Sequence, residues 1–344
     1  MCAEIQGPAV LGYIYRGFST LVGPDFGGKL EDTACTTCGK CIDVCPTGAL
    51  LPKTKHYKPN PGYAAEHGTR CTECGLACHV TTRYAGDTLL QVLPGEENDY
   101  NGTDLCYRGR FAWQNTDMNY TAEHAEDLTI PQNTVMHLSP KMSNDMIDAA
   151  LAFAREHHLD CVSTEVVPDP WDEFPGRHAD MADIGRADTL VLAGKNNQVL
   201  KARARLAQLK GARLIVIDDP GDPYNRFADL LPASVKELQT HDIQGNTVFI
   251  YHRESCSRAT RDAIRKKIGG MKNVKVWVNS DHLNTRGFLT HKIPHVDELK
   301  AEHVIVFGPV PERVSAEHVI RLPLRPFRIE GTVITDTGEK IRLD

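Results

Sequence analysis

The chain has 344 residues, of which 41% are apolar and 24% charged, and its net charge is −6. At roughly 150 residues per domain this length predicts two or three structural units, with a core large enough to stand without disulfide staples. The acidic balance argues against nucleic-acid binding. The apolar runs fall far short of the roughly 20 residues a membrane-spanning helix needs, and Met1-Cys2-Ala3-Glu4 lacks the basic start and apolar stretch of a secretory signal. A soluble, cytoplasmic protein is expected.

The cysteines carry the information. Nine of the eleven lie within residues 1–106, leaving only Cys161 and Cys256 beyond. Clustered C-x-x-C spacings without a secretory signal point to metal and not to disulfide bridges.

In chain order, residues 1–57 are rich in Gly and Cys and hold few apolar runs long enough for regular elements. Gly23 to Lys29 imitates a phosphate loop, but it lacks the magnesium-holding Ser/Thr and the flanking strand and helix. Cys35-x2-Cys38-x2-Cys41-x3-Cys45-Pro46 follows. Three thiolates this close wrap one iron–sulfur cluster, and the fourth cysteine ligates the other cluster of a two-cluster ferredoxin module. Zinc is the competing occupant, but it prefers two separate C-x-x-C pairs.

His56 to Gly62, with its paired prolines and glycine, reads as a linker. The second cysteine-rich module covers residues 68–115. Its Cys71-x2-Cys74-x3-Cys78 and the later Cys106 supply four thiolates, enough for one [4Fe–4S] cluster. A hairpin is expected between them, with strands at Val80–Tyr84 and Thr88–Leu93 turning at Gly86-Asp87. Zinc remains the alternative here too. His67 and His79 flank the site but are not needed as ligands.

From residue 116 the texture is that of an α/β domain, after a loose stretch at 116–142. Ser143 caps an expected helix through Met146, Ile147, Ala150, Leu151 and Ala154. A strand at Thr189–Gly194, a helix over 199–209 and a strand at Ala212–Asp218 form a βαβ unit. A second such unit follows in Thr247–Tyr251, Ala259–Ile268 and Val274–Val278, and further strands are expected at Val304–Phe307 and Val319–Leu322. A doubly wound parallel sheet is the simplest assembly of these pieces. Gly194-Lys195-Asn196-Asn197 opens a helix where a phosphate could bind, but without G-x-G-x-x-G a dinucleotide is not expected. Asp218-Asp219 either touches a ribose or simply forms a turn before Pro220. His157-His158 suits a helix C-terminus. Cys161, read at the end of an apolar helix, and Cys256 are expected to be buried fillers.

The pattern C-x2-C-x3-C with Cys106-Tyr107-Arg108-Gly109-Arg110-Phe111 resembles the N-terminal cluster domain of molybdenum/tungsten bis-pterin oxidoreductases. Joined to the upstream C-x2-C-x2-C-x3-C-P module, it resembles the large iron–sulfur, G-type subunits of complex I and of NAD-linked formate dehydrogenases. Looser matches are Cys2 to Gly7, Gly12 to Phe18, Ala182 to Asp188, and Pro323 to Gly338. The resemblance implies a ferredoxin-like 4Fe–4S module at 1–57, a small 4Fe–4S domain at 68–115, and a reduced, doubly wound pterin-oxidoreductase-like α/β domain at 116–344. It places Arg108 where catalytic members hold a basic residue between cluster and pterin. A surface or cluster-tuning charge is the equal alternative.

The chain also departs from that family. Its last domain is too short for the usual cradle of two pterins, and neither Cys161 nor Cys256 has the setting of a metal-ligating cysteine. The resemblance therefore implies an electron-transfer subunit with two [4Fe–4S] clusters and no molybdopterin of its own. Its partners would be a flavin/NADH-oxidising subunit and a further redox subunit, in a cytoplasmic location or peripheral to a membrane complex. The alternatives are a compact molybdenum or tungsten formate-dehydrogenase-like catalyst and a zinc-stabilised interaction module. By the ferredoxin rule, Cys35, Cys38 and Cys41 take their fourth thiolate from Cys2, and Cys45 serves a further cluster. The three remaining ligands of that cluster would precede Met1, so a separate polypeptide completing the module is expected. The simpler possibility is that Cys45 closes a single local cluster and Cys2 is incidental.

Overall fold

The computed structural model describes residues 1–52, 63–115, 130–166, 169, 177–217, 219–307, 310–322, 324, 331–335 and 339–343. The expected linker from His56 to Gly62, residues 116–129, Asp218 and most of the 323–338 segment lie outside them. In chain order, β1 (Gly12–Ile14) and β2 (Leu21–Gly23) precede a single helical turn, α1 (Lys40–Asp43). Next come β3 (Ala65–Arg70), β4 (His79–Ala85), β5 (Thr88–Pro94) and α2 (Tyr107–Phe111). The middle of the chain holds β6 (Thr134–His137), α3 (Asn144–Glu156), β7 (Asp160–Val162), α4 (Met181–Arg186), β8 (Thr189–Ala193), α5 (Gln198–Leu209) and β9 (Arg213–Ile217). It ends with β10 (Thr247–His252), α6 (Arg258–Ile268), β11 (Val274–Asn279), α7 (Thr285–Thr290), β12 (Leu299–Phe307), β13 (Val314–Leu322), β14 (Gly331–Ile334) and β15 (Lys340–Leu343). Two compact units result: Met1–Gly68 with Cys78–Gln114 and Phe174–Asn279, and Thr69–Ala77 with Asn115–Glu173 and Ser280–Asp344. No helix among the described residues is long and apolar enough to cross a membrane.

The first unit is built on a parallel sheet in the order β11-β10-β8-β9. Every residue of β8, Thr-Leu-Val-Leu-Ala, is buried, as a central strand covered on both faces requires. Helix α5 starts at Asn197, whose side chain accepts from the Val199 amide at 2.8 Å, and α6 starts at Ser257, which accepts from the Thr260 amide. One crossover runs from β8 to β9 and the other from β10 to β11. The strand order therefore reverses between β8 and β10, and the carboxyl ends of these two strands flank a topological switch point. The β4–β5 hairpin forms as its turn residues predict, and β3 adds a strand to it that the sequence did not announce.

The second unit holds a separate parallel sheet in the order β13-β12-β6-β7. The expectation of one doubly wound sheet is thus replaced by two four-stranded ones. The difference lies in β6, inside the stretch read as loose, which pairs with residues 303–306 far along the chain. Cys161 is not at a helix end but in strand β7, and its half-buried side chain packs on a core that includes Met136, Leu138, Ile147 and Ile305. Helix α3 forms as its spacing predicts: Ser143 Oγ accepts from the Met146 amide at 3.3 Å, and Ile147, Ala150 and Ala154 face inward. Asp145, in its first turn, accepts from the amide and hydroxyl of Thr332 at 2.6 and 2.9 Å, tying β14 to α3.

His137, at the end of β6, is 1% exposed. Its Nε2 accepts from the Thr164 amide at 3.1 Å, and burial pushes the imidazole down to about 4. The unfolded chain binds this proton near pH 6.5. Between pH 6.5 and about 4 the unfolded state therefore holds more protons, and stability is lost as pH falls through that window. The loss from this group should approach about 3 kcal/mol. Urea unfolding at pH 7 and pH 4.5 checks it: His137→Gln should lose less stability on acidification than the wild type. Equal losses would show that His137 carries no such linkage.

Candidate iron–sulfur sites

The loop before α1 curls through left-handed backbone at Thr37 (φ 53°) and Gly39 (φ 73°). These two turns set Cys35, Cys38 and Cys41 around one cavity, which Cys2 joins from a π-helical turn, Cys2–Gln6. The rest of its wall includes Pro8, Val10, Leu11 and Leu30. Burial pushes the thiols of Cys38 and Cys41 up, and charge at the neighbouring cysteines, Cys2 and Cys35 among them, pushes the same way. No two of the chain's described cysteines have closed into a disulfide. Four soft sulfur donors around an apolar-walled cavity fit an iron–sulfur cluster.

Cys45 does not line this cavity. Its Sγ lies 3.6 Å from Thr47 Oγ1, and the Leu50 amide, followed by the Thr47 hydroxyl, draws the thiol down to about 7. The structure thus places Cys2, and not Cys45, beside the three loop cysteines. What holds Cys2 there is a residue the sequence gave no reason to single out. Gln6 is 2% exposed, donates to Asp104 Oδ1 at 3.0 Å and accepts from Gln198 at the start of α5 at 2.9 Å. Arg205 of α5 also donates to the Glu4 carbonyl at 3.0 Å. A lone Gln between Ile5 and Gly7 carries no local signal of these contacts.

In the second constellation Cys71, Cys74 and Cys78 are buried and Cys106 is half-buried at the start of α2. Cys71 and Cys74 belong to the second unit, Cys78 and Cys106 to the first. Within the second unit the Arg70 guanidinium donates to the Ala77 carbonyl at 3.2 Å, bracing the loop that carries Cys71 and Cys74. In the first, fully buried Asn101 accepts from the His79 amide at 2.8 Å and donates to the His79 and Asp104 carbonyls. That one side chain joins the residue after Cys78 to the turn before Cys106. His79 contributes backbone here, and the His67 carbonyl accepts from Thr82.

Arg108 makes its charge felt at the carboxyl end of β10. Burial lowers His252 to about 4, with Arg108 and Arg253 adding to the effect, while burial raises Glu254. At the neighbouring β8 end, Asn196 donates to the carbonyls of Ala193 and Gly194, and Ser255 Oγ donates to the Lys195 carbonyl. Asp219 is more than a turn former. Its carboxylate lies 3.3 Å from Lys201 of α5, which also pairs with Asp222. Asp218 lies outside the described residues, and Cys256 is buried.

These two cysteine sets define 4Fe–4S proteins, and known families bear the same modules. Residues 30–51 match the 4Fe-4S binding domain, and residues 65–117 match the molybdopterin oxidoreductase Fe4S4 domain. The chain is similar to the second G-type subunit of the NADH-quinone oxidoreductases of Rhizobium meliloti, with 38% identity over 111 residues, covering 32% of this chain and 13% of that protein. It is 51% identical over 51 residues to the HndD subunit of the NADP-reducing hydrogenase of Solidesulfovibrio fructosivorans, covering 15% of this chain and 9% of the relative. NADH-quinone oxidoreductase subunit 3 of Thermus thermophilus is 32% identical over 117 residues, 34% of this chain and 14% of its own length. The chain thus spans less than a sixth of each of these curated relatives.

Proposed function

We propose that the chain is an iron–sulfur electron-transfer subunit of an NADH-linked oxidoreductase complex, relaying electrons through two [4Fe–4S] clusters. The observation that carries this reading is the cavity shared by Cys2, Cys35, Cys38 and Cys41, immediately upstream of the molybdopterin-oxidoreductase Fe4S4 match. Those four cysteines hold the first cluster. Cys71, Cys74, Cys78 and Cys106 hold the second, on the strength of their spacing within the matched domain. Cys45 remains available to a further cluster completed by another polypeptide. The clusters supply reversible one-electron chemistry. The protein's own work is to hold iron through thiolates and to set potentials through hydrogen bonds and burial.

In this reading residues 1–57 form a ferredoxin-like module, 68–115 the second cluster domain, and 116–344 a reduced pterin-oxidoreductase-like scaffold. Arg108 then tunes the second cluster, two residues from Cys106. The partners are a flavin/NADH-oxidising subunit and a further redox subunit, and the location is cytoplasmic or peripheral to a membrane complex. Metal analysis of the anaerobically purified protein tests this. About eight irons per chain, on four per cluster, are expected without molybdenum or tungsten. Stoichiometric molybdenum or tungsten would favour a formate-dehydrogenase-like catalyst, and a colourless zinc protein would overturn both.

A further inference from the structure

Two buried ion pairs reach from the first cysteine loop to the segment carrying Cys106, and all their members lie in the first unit. Lys40, between Cys38 and Cys41, is 7% exposed, and its Nζ lies 3.2 Å from Asp104 Oδ1 and 3.2 Å from the Thr103 carbonyl. Asp43, between Cys41 and Cys45, accepts from both terminal nitrogens of Arg110 at 2.9 and 2.6 Å, and Arg110 is 3% exposed. Asp104 and Arg110 bracket Cys106. The approach is close: a Cβ on Gly39 would sit 2.4 Å from Arg110 Cδ. Gln6, from the Cys2 turn, donates to the same Asp104 oxygen that faces Lys40.

Charge pairs this buried cost so much desolvation that apolar side chains of equal size would stabilise the contact as well or better. Stability is therefore a poor reason for two of them here. What they add is fixed geometry, since a bidentate Arg–carboxylate pair sets both distance and orientation. We propose that Lys40–Asp104 and Asp43–Arg110 form a clasp that fixes the separation of the two clusters and so governs electron exchange between them. This rests on the reading of both cysteine sets as cluster sites. The step is the passage of one electron from a cluster in the 1+ state to one in the 2+ state. No bond forms or breaks and no proton moves, and dithionite supplies the electrons in the test. Lys40, Asp43, Asp104 and Arg110 are positioning residues in this step.

The test uses the full chain, reconstituted anaerobically and reduced with dithionite, with electron paramagnetic resonance as the readout. The wild type should bind about eight irons and show spin–spin interaction between its two reduced clusters. Arg110→Met and the double variant Lys40→Met/Asp104→Leu should keep their iron but lose that interaction, and Arg110→Lys should restore part of it. Should either apolar variant lose iron, Asp43→Asn, which preserves the shape of the site, decides in the same way. Unchanged interaction in an iron-replete variant overturns the clasp, as does a wild type with two clusters and no interaction. A wild type holding well under eight irons overturns instead the two-cluster reading on which the clasp depends.

Discussion

Replacing Cys2 with serine should remove about four of the roughly eight irons per chain, while Cys45→Ser should leave the iron content unchanged. The contrast follows from placement. Cys2 lines the cavity with Cys35, Cys38 and Cys41, and Cys45 does not. A serine hydroxyl does not ionise in the range where a thiol does, and it is a hard donor, so three thiolates would remain for a cluster that needs four. The Cys2 turn is anchored independently of its sulfur, through Gln6 to Asp104 and Gln198. The loss should therefore be confined to one cluster, with the second cluster's absorbance retained. Iron, labile sulfide and visible spectra measured on both variants check this. Iron loss with Cys45→Ser but not with Cys2→Ser would mean that the local C-x2-C-x2-C-x3-C run closes its own cluster.

Lys201→Met should destabilise the protein by about 3–5 kcal/mol, the usual cost of stripping one partner from a buried pair. Lys201 projects from α5 and is 7% exposed, as is Asp219 in the turn after β9; Asp222 completes the group. Burial already pushes the Asp219 carboxyl up, and the Lys201 ammonium opposes that push. Without the ammonium, the carboxylate would be left charged in an apolar setting. Adding Asp219→Asn to Lys201→Met should recover part of the loss, because the uncompensated charge is gone. Lowering the pH should also narrow the gap between Lys201→Met and wild type as Asp219 takes up a proton. Urea denaturation of the three proteins at pH 7 and pH 5 measures both effects. A single variant as stable as the wild type would show that the pair does not hold the β9 turn to α5.

Features whose physics is local could be read along the chain. Cluster-type cysteine spacing was legible because most ligands of each set sit within one short loop. Ser143 announced α3 because a cap and its amide lie three residues apart. Strands β8 to β11 were legible as apolar runs because both their faces are buried. Strand β3, Ala-Glu-His-Gly-Thr-Arg, was not: it is largely exposed and carries no apolar alternation. Nor were β6 and β7, which exist through pairing with each other and with β12. That long-range pairing, absent from any local period, is what divides the expected single sheet into two. The same reason hid the partners of the buried charges. Lys40, Arg110 and Lys201 are ordinary basic residues when read along the chain. Folding brings Asp104, Asp43 and Asp219 to them, because a charge can be buried only where the fold, and not the neighbouring residues, supplies its counter-charge.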